Sequence, residues 1–182
     1  IICKNKKINI FQNFNSLSKI LPKKVDYVMS AISGIGGLLP THKIIKNTNL
    51  IAVANKEAII CGWPLIKKEL KKYKTKFIPI DSEHFSIWAS LNKFKINNRV
   101  NLNKSIQNLY ITASGGSFRK TSFKNFKNIK INQAIKHPTW KMGKKISIDS
   151  ATLMNKVFEV IEAKNIFNLN YDKISILTHP KS

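Results

Sequence analysis

Leu50-Ile51-Ala52-Val53-Ala54, a helical pattern over Lys56–Tyr73, and Phe77-Ile78-Pro79-Ile80 follow one another with little between them. Over Lys56–Tyr73 apolar residues recur at helical spacing and charges fill the other face, with Pro64 expected to break or kink the helix. Upstream, Val25–Ser30 reads as a buried strand and residues 36–46 as a helix with Pro40 in an early turn. Strand, helix, strand, helix, strand is the pattern of a parallel sheet with crossover helices, which sets ligands at the carboxyl ends of its strands. The fold class expected is α/β.

The last of these strands runs into Asp81-Ser82-Glu83-His84, in a chain where nine acidic side chains face thirty-two basic ones. Read as alternate positions of an extended segment, Asp81 and Glu83 point to one side, where their oxygens converge on a hard cation. An exposed turn is the alternative. Lys56 follows Ala54-Asn55 at another strand end and precedes Glu57, so it too points to the ligand edge.

Residues 93–105, rich in Asn and Lys, read as a surface loop or linker. Residues 107–113 form a strand that runs into Ser114-Gly115-Gly116-Ser117, and weak helical character at 132–136 leads to His137-Pro138-Thr139-Trp140-Lys141-Met142-Gly143-Lys144-Lys145. That basic stretch, broken by Pro and Gly, reads as a mobile loop able to close over a phosphate. Residues 149–167 give the longest helix pattern, capped by Ser147 or Asp149, and residues 173–178 a last strand.

On the long helix Asn155 and Glu159 share a face and Glu162 lies three residues on, while Leu153, Val157, Val160 and Ile161 with Phe158 are expected to supply core. The plainer reading is an amphipathic helix with solvated carboxylates, Glu162 being an acid of the helix surface or one placed behind the ligands. Ser114-Gly115-Gly116 and Ser150 with Asn155-Lys156 are suited to a phosphate, since Gly permits close backbone approach and hydroxyls, amides and an ammonium supply donors and charge. Ser-Gly-Gly also suits an ordinary turn. His84, His137 and His179 are ligands, acid–base groups or structural residues.

With 182 residues and 43% hydrophobic content, the chain is long enough for one domain or pieces of two. It begins Ile1-Ile2-Cys3 and stops soon after a strand, so a fragment of a multidomain protein is expected. No apolar run reaches the roughly 20 residues that span a bilayer, and Cys3 and Cys61 suggest no disulfide framework. The formal charge of +23 comes from Lys scattered through almost every segment rather than grouped on one face among aromatics, which argues against a specific nucleic-acid partner.

Taken together, Ala54-Asn55-Lys56-Glu57, Pro79-Ile80-Asp81-Ser82-Glu83-His84, Ser114-Gly115-Gly116, the run from His137 through Ser147-Ile148-Asp149-Ser150-Ala151-Thr152, Met154-Asn155-Lys156, and Glu159 with Glu162 resemble the 1-deoxy-D-xylulose 5-phosphate reductoisomerase family. The resemblance implies residues 1–80 as the later half of a Rossmann-type NADPH-binding domain and 81–182 as a metal- and substrate-binding α/β catalytic domain. It implies Asp81, Glu83 and Glu159 as ligands of Mg²⁺ or Mn²⁺, and Lys56 and His137 beside them as catalytic. Lys56, Ser82, Glu83, Ser114, His137, Ser150, Asn155, Lys156 and Glu159 match positions that contact the phosphorylated substrate. Asn55, Glu57, Gly143 and Met142 match positions near NADPH, and Trp140 and Met142 the loop over the substrate. A homodimer in the bacterial cytoplasm is implied for the whole protein, or a plastid-type organelle given an upstream targeting segment.

The sequence departs from the family pattern in three ways. The Gly-rich dinucleotide-binding turn is absent, Val157-Phe158 stands where Gly-Leu is usual, which is expected to shift the helix, and Ser117 replaces a residue that is often Pro, loosening its loop. A basic nucleic-acid-binding module and a degenerate, non-catalytic relative are the alternatives.

Overall fold

A computed structural model describes residues 17–94, 102–137, 141 and 143–179. These fall into two compact units that divide between Asp81 and Ser82. Both are mixed α/β with parallel strands.

In the first unit, helix α1 (Leu17–Ile20) precedes β1 (Val25–Ser30), and β2 (Thr48–Val53) and β3 (Lys76–Pro79) complete a parallel sheet of order β1-β2-β3. Helix α2 (Leu38–Ile44), with a 3₁₀ turn on either side, joins β1 to β2, and α3 (Lys56–Tyr73) joins β2 to β3. The central strand is apolar because both its faces are covered, with Ile51, Ala52 and Val53 buried. Its register sets Ser30, Val53 and Pro79 level, so the three strands end along one line.

Helix α3 runs unbroken through Pro64. An interior proline costs about 3 kcal/mol, which the inward stripe of Ala58, Ile59, Trp63 and Ile66 outweighs, Trp63 packing edge-on to Phe77 at 5.3 Å. Gly62 lets the helices close up, since a Cβ there would come within 2.2 Å of Leu38. The helix opens on Asn55, a buried N-cap whose side-chain oxygen accepts from the Ala58 amide at 2.6 Å. Its amide nitrogen donates to the Ile32 and Gly34 carbonyls beyond β1. One side chain thus joins two strand ends.

The second unit pairs β4 (Leu109–Ala113) with β5 (Ile174–Thr178) in parallel. Ile111, Ala163, Phe167, Leu169 and Ile174 form its core, with Ile87, Trp88 and Leu91 packed against them. These last three belong to α4 (Ser82–Phe94), a helix where Asp81 to Glu83 was expected to stay extended and residues 93–105 to form a linker. Glu83 therefore lies in a first helical turn, where a carboxylate is favoured by the unpaired amides. The linker expectation is further reduced by α5 (Leu102–Ser105), and residues 95–101 lie outside the described residues. The weak helical stretch is α6 (Ile131–Ala134).

The single helix expected over 149–167 is two helices, α7 (Lys144–Ala151) and α8 (Met154–Phe167). Lys144 and Lys145 open α7 instead of extending a loop, and Ser147 lies inside it, donating to the Gly143 carbonyl rather than capping. The break falls at Leu153, whose backbone is left-handed (φ 59°). The Thr152 hydroxyl lies 3.1 Å from the Ile148 carbonyl and 3.2 Å from that of Asp149, offering the last turn of α7 a partner other than a continuing helix.

The buried face of α8 also differs from expectation. Lys156, Glu159, Glu162, Ala163 and Phe167 face inward, whereas Leu153 and Val157 are 41% and 44% exposed. The expectation that Leu153 and Val157 supply core, with solvated carboxylates opposite, is overturned. Charges turned inward at the start of α8 find partners, and the apolar packing comes from its later turns.

Replacing Asn55 by Ala removes a cap and two carbonyl partners, at a cost of about 2–3 kcal/mol from a cap of ~1 and hydrogen bonds of ~1 each. Amide hydrogen exchange should show the first turn of α3 and residues 32–34 losing protection together, with the later turns of α3 less affected.

Candidate functional site

In the first unit the chemistry collects where the strands end. Ala54 and Ile80 extend the ladder, their amides donating to Ser30 and Val53. Asn55 and Lys56 follow β2 and Asp81 follows β3, and the Lys56 Nζ lies 3.1 Å from Asp81 Oδ2 with both side chains largely shielded. Glu57 occupies the first turn of α3. Asn55 is committed to its cap, so a ligand would meet its surroundings through the turn it holds.

In the second unit Glu83 from α4 and Glu159 from α8 meet on one ammonium. Lys156 Nζ donates to Glu83 Oε1 at 2.8 Å and to Glu159 Oε2 at 2.6 Å, and Asn155 Nδ2 donates to Glu159 Oε1. Ser82 donates to Glu83 Oε2 at 2.6 Å. Glu159 is 1% exposed and Lys156 9%. Burial pushes the ammonium toward losing its proton, but its hydrogen bonds and charge interactions with Glu159 and Glu83 more than offset this and raise its pKa above 10.5. The stability this contributes is present below pH 10.5 and is lost only as the pH rises through the raised value.

His84 and Glu162 lie behind this group. His84 is fully buried, and its Nε2 sits 2.9 Å from the Glu159 backbone carbonyl. A carbonyl only accepts, so Nε2 carries the hydrogen. Nδ1 lies 3.9 Å from Glu162 Oε2, and the ring stacks near Phe167. Glu162 is 1% exposed, which excludes a place on the helix surface. The periodicity of His84, Trp88 and Leu91 could have revealed both α4 and the inward position of His84.

A small pocket, open to solvent, lies beside the carboxylates, lined in part by Ser114, Gly115, Gly116, Ser150, Asn155 and Lys156. Both glycines have positive φ, 87° and 71°. A Cβ on Gly116 would fall 2.2 Å from the Ser150 carbonyl, so the loop after β4 reaches the end of α7 only without a side chain there. Arg119, one of two arginines in the chain and not singled out from sequence, donates to the Ser114 carbonyl at 2.9 Å.

Ser117 donates to the Lys136 carbonyl at 2.6 Å, fastening the loop it was expected to loosen. His137 Nε2 lies 3.2 Å from the Ser114 hydroxyl, and burial, then the Arg119 charge, lowers its pKa below 6.5. Its imidazole is therefore neutral at pH 7.

The carboxylates, the pocket residues and His137 come together in the second unit, and Lys56 with Asp81 in the first. Gly143 is an exposed N-cap of α7. Trp140 and Met142, with Pro138 and Thr139, lie outside the described residues.

Residues 2–62 match the family model described as 1-deoxy-D-xylulose 5-phosphate reductoisomerase, and residues 77–167 the model for its C-terminal domain. The 1-deoxy-D-xylulose 5-phosphate reductoisomerase of Pelagibacter ubique (strain HTCC1062) is 61% identical over 183 residues, covering 100% of this chain and 45% of that protein. The same enzyme of Clostridium novyi (strain NT) is 45% identical over 179 residues, 98% of this chain and 45% of that one.

Among solved structures, a reductoisomerase from Zymomonas mobilis in complex with NADPH superposes with a TM-score of 0.76 at 35% identity, over 92% of this chain and 41% of that one. A DOX-P reductoisomerase in complex with NADPH, fosmidomycin and magnesium gives 0.75 at 40% identity, over 87% and 40%. The chain spans about 45% of the length of these two curated relatives. With both family models matched in chain order across the two units, the chain belongs to the 1-deoxy-D-xylulose 5-phosphate reductoisomerase family.

Proposed function

We propose that the full-length polypeptide carrying these residues converts 1-deoxy-D-xylulose 5-phosphate to 2-C-methyl-D-erythritol 4-phosphate, using NADPH and Mg²⁺ or Mn²⁺. The observation that carries this reading is the meeting of Glu83 and Glu159 on one buried cation beside a pocket of hydroxyls, glycine amides and Asn155. Two carboxylates against one ammonium leave a surplus negative charge, and an all-oxygen donor set suits a hard divalent ion. Asp81, two residues before Glu83 in the chain, is the third proposed ligand.

The metal, when bound, supplies a Lewis acid for neighbouring substrate oxygens; NADPH supplies the hydride. The chain's own groups do the rest. The Ser114 and Ser150 hydroxyls and the Gly115 and Gly116 amides donate to the substrate phosphate, which anchors the end remote from the reacting carbons and fixes their orientation. Neutral His137, beside the Ser114 hydroxyl, offers the substrate an imidazole that can accept or donate a proton. Lys56, paired with Asp81, brings a positive charge to the strand ends of the first unit. Asn55, Glu57, Gly143 and Met142 are assigned to the neighbourhood of the cofactor, with Trp140 and Met142 over the substrate.

The first unit is read as the later part of the NADPH-binding domain and the second as the metal- and substrate-binding domain. A homodimer in the bacterial cytoplasm completes the reading, in keeping with bacterial relatives. Among the described residues no helix is long and apolar enough to cross a membrane.

The full-length polypeptide with Mn²⁺ should oxidise NADPH only when the ketose phosphate is added, and absence of that dependence would reject the assignment. Asp81→Asn should lower turnover by on the order of 100-fold, whereas unchanged turnover would remove Asp81 from the metal site. A degenerate relative would give no turnover to lose. Gly116→Ala forces a left-handed alanine, at about 1–2 kcal/mol, and drives the loop off Ser150. Steady-state kinetics should then show KM for the ketose phosphate raised by roughly tenfold with KM for NADPH little changed.

A further inference from the structure

We propose that Lys156 is a displaceable internal cation: its ammonium fills the Glu83–Glu159 site until a metal takes its place, and a phosphate in the adjoining pocket receives it. The inference rests on the reading that Glu83 and Glu159 hold a divalent ion, and adds that one side chain couples that site to phosphate.

The geometry places Lys156 in both sites. Its Nζ lies 2.8 Å from Glu83 and 2.6 Å from Glu159, and the residue also lines the pocket formed with Ser114, Gly116, Ser150 and Asn155. A divalent ion held by the same carboxylates would confront the ammonium across a short, poorly screened distance, where like charges repel strongly. The ammonium must then leave both oxygens. Its four-carbon stem turns readily, and the pocket is its neighbouring polar space.

Without an anion, that pocket offers the ammonium only neutral acceptors, such as two hydroxyls and the Asn155 amide oxygen, in place of two carboxylates. Displacement is therefore unfavourable when the pocket lacks phosphate and favourable when phosphate is present to accept from Nζ. Coupling of this kind is reciprocal, so phosphate tightens metal binding by the factor by which metal tightens phosphate binding. A lysine that only braced Glu83 and Glu159 would act oppositely, because its removal would disorder the carboxylates and weaken the metal site.

The test uses the full-length polypeptide, counting free Mn²⁺ by electron paramagnetic resonance with and without inorganic phosphate and subtracting a protein-free control. In the wild type, phosphate should lower the Kd for Mn²⁺ by about fivefold or more, and Mn²⁺ should lower the Kd for phosphate equally. Lys156→Met should bind Mn²⁺ about fivefold more tightly than the wild type without phosphate, and added phosphate should no longer change that affinity. Lys156→Arg keeps the charge and should keep the coupling.

Unchanged or weaker Mn²⁺ binding by Lys156→Met, or coupling that persists in it, would overturn the proposal. Lys156→Gln replaces Lys156→Met if circular dichroism shows the latter unfolded. A Glu159→Gln variant that binds Mn²⁺ like the wild type would sink the metal-site reading itself, and the inference with it. Loss of Mn²⁺ binding in Glu159→Gln, alongside no gain in Lys156→Met, sinks only the inference.

Discussion

An ammonium shared by two carboxylates, where water scarcely reaches, constrains much of the second unit. A charge taken out of water costs several kcal/mol unless an opposite charge meets it. Lys156 meets Glu159 within α8, and Glu83 adds a second carboxylate from the first turn of α4. The starts of the two helices are thereby tied, and the rotation of α8 about its axis follows. With Lys156 and Glu159 inward, Ala163 and Phe167 one and two turns further fall on the same side and join Ile111 of β4 and Ile174 of β5. The His84 ring, donating to the Glu159 carbonyl, ties the two helices a second time.

The interruption at Leu153 has a geometrical purpose. In one continuous helix Ser150 and Asn155, five residues apart, would point about 140° away from each other and could not line one pocket. The left-handed residue resets the helix direction, and both line the space that Gly115 and Gly116 approach from the other side. Gly116 has no side chain to hold that loop away, and Arg119 and Ser117 anchor it through the Ser114 and Lys136 carbonyls.

Legibility in the sequence followed the physics of each element. Lys56–Tyr73 emerged with its observed bounds because burial follows its periodicity, and Val25–Ser30 with its bounds alone, since the strand expected to be buried has only Ser30 buried, with Tyr27 and Met29 exposed. The motifs around Ser114 and Ser150, singled out separately from sequence for their donors and small residues, line one pocket in the structure. The face of α8 was not, since a hydrophobic reading turns Val157 inward, whereas buried charges that satisfy one another turn it out. Helix α4 was hidden by the attention its first acids drew: Asp81 and Glu83 two apart suggest a strand, while His84, Trp88 and Leu91 carry the helical period. Tertiary pairing also decided the fate of Glu162, whose buried partner lies 78 residues earlier at His84.

Val157 and Phe158, where the family usually has Gly-Leu, show how the inverted helix absorbs change. Val157 is two residues from Glu159, about 200° around the axis, so its added bulk lies on nearly the opposite side and is 44% exposed. Phe158 meets α7 instead, with the Lys145 ammonium 5.2 Å from its ring centre, a contact of the cation–π kind. Lys145 in turn pairs with Asp149 at 2.7 Å along α7. The bulkier pair therefore sits away from the carboxylate and across the helix break, where it braces α7 against α8. Glu159 keeps its bonds to Asn155 and Lys156, so the departure leaves the acid site assembled.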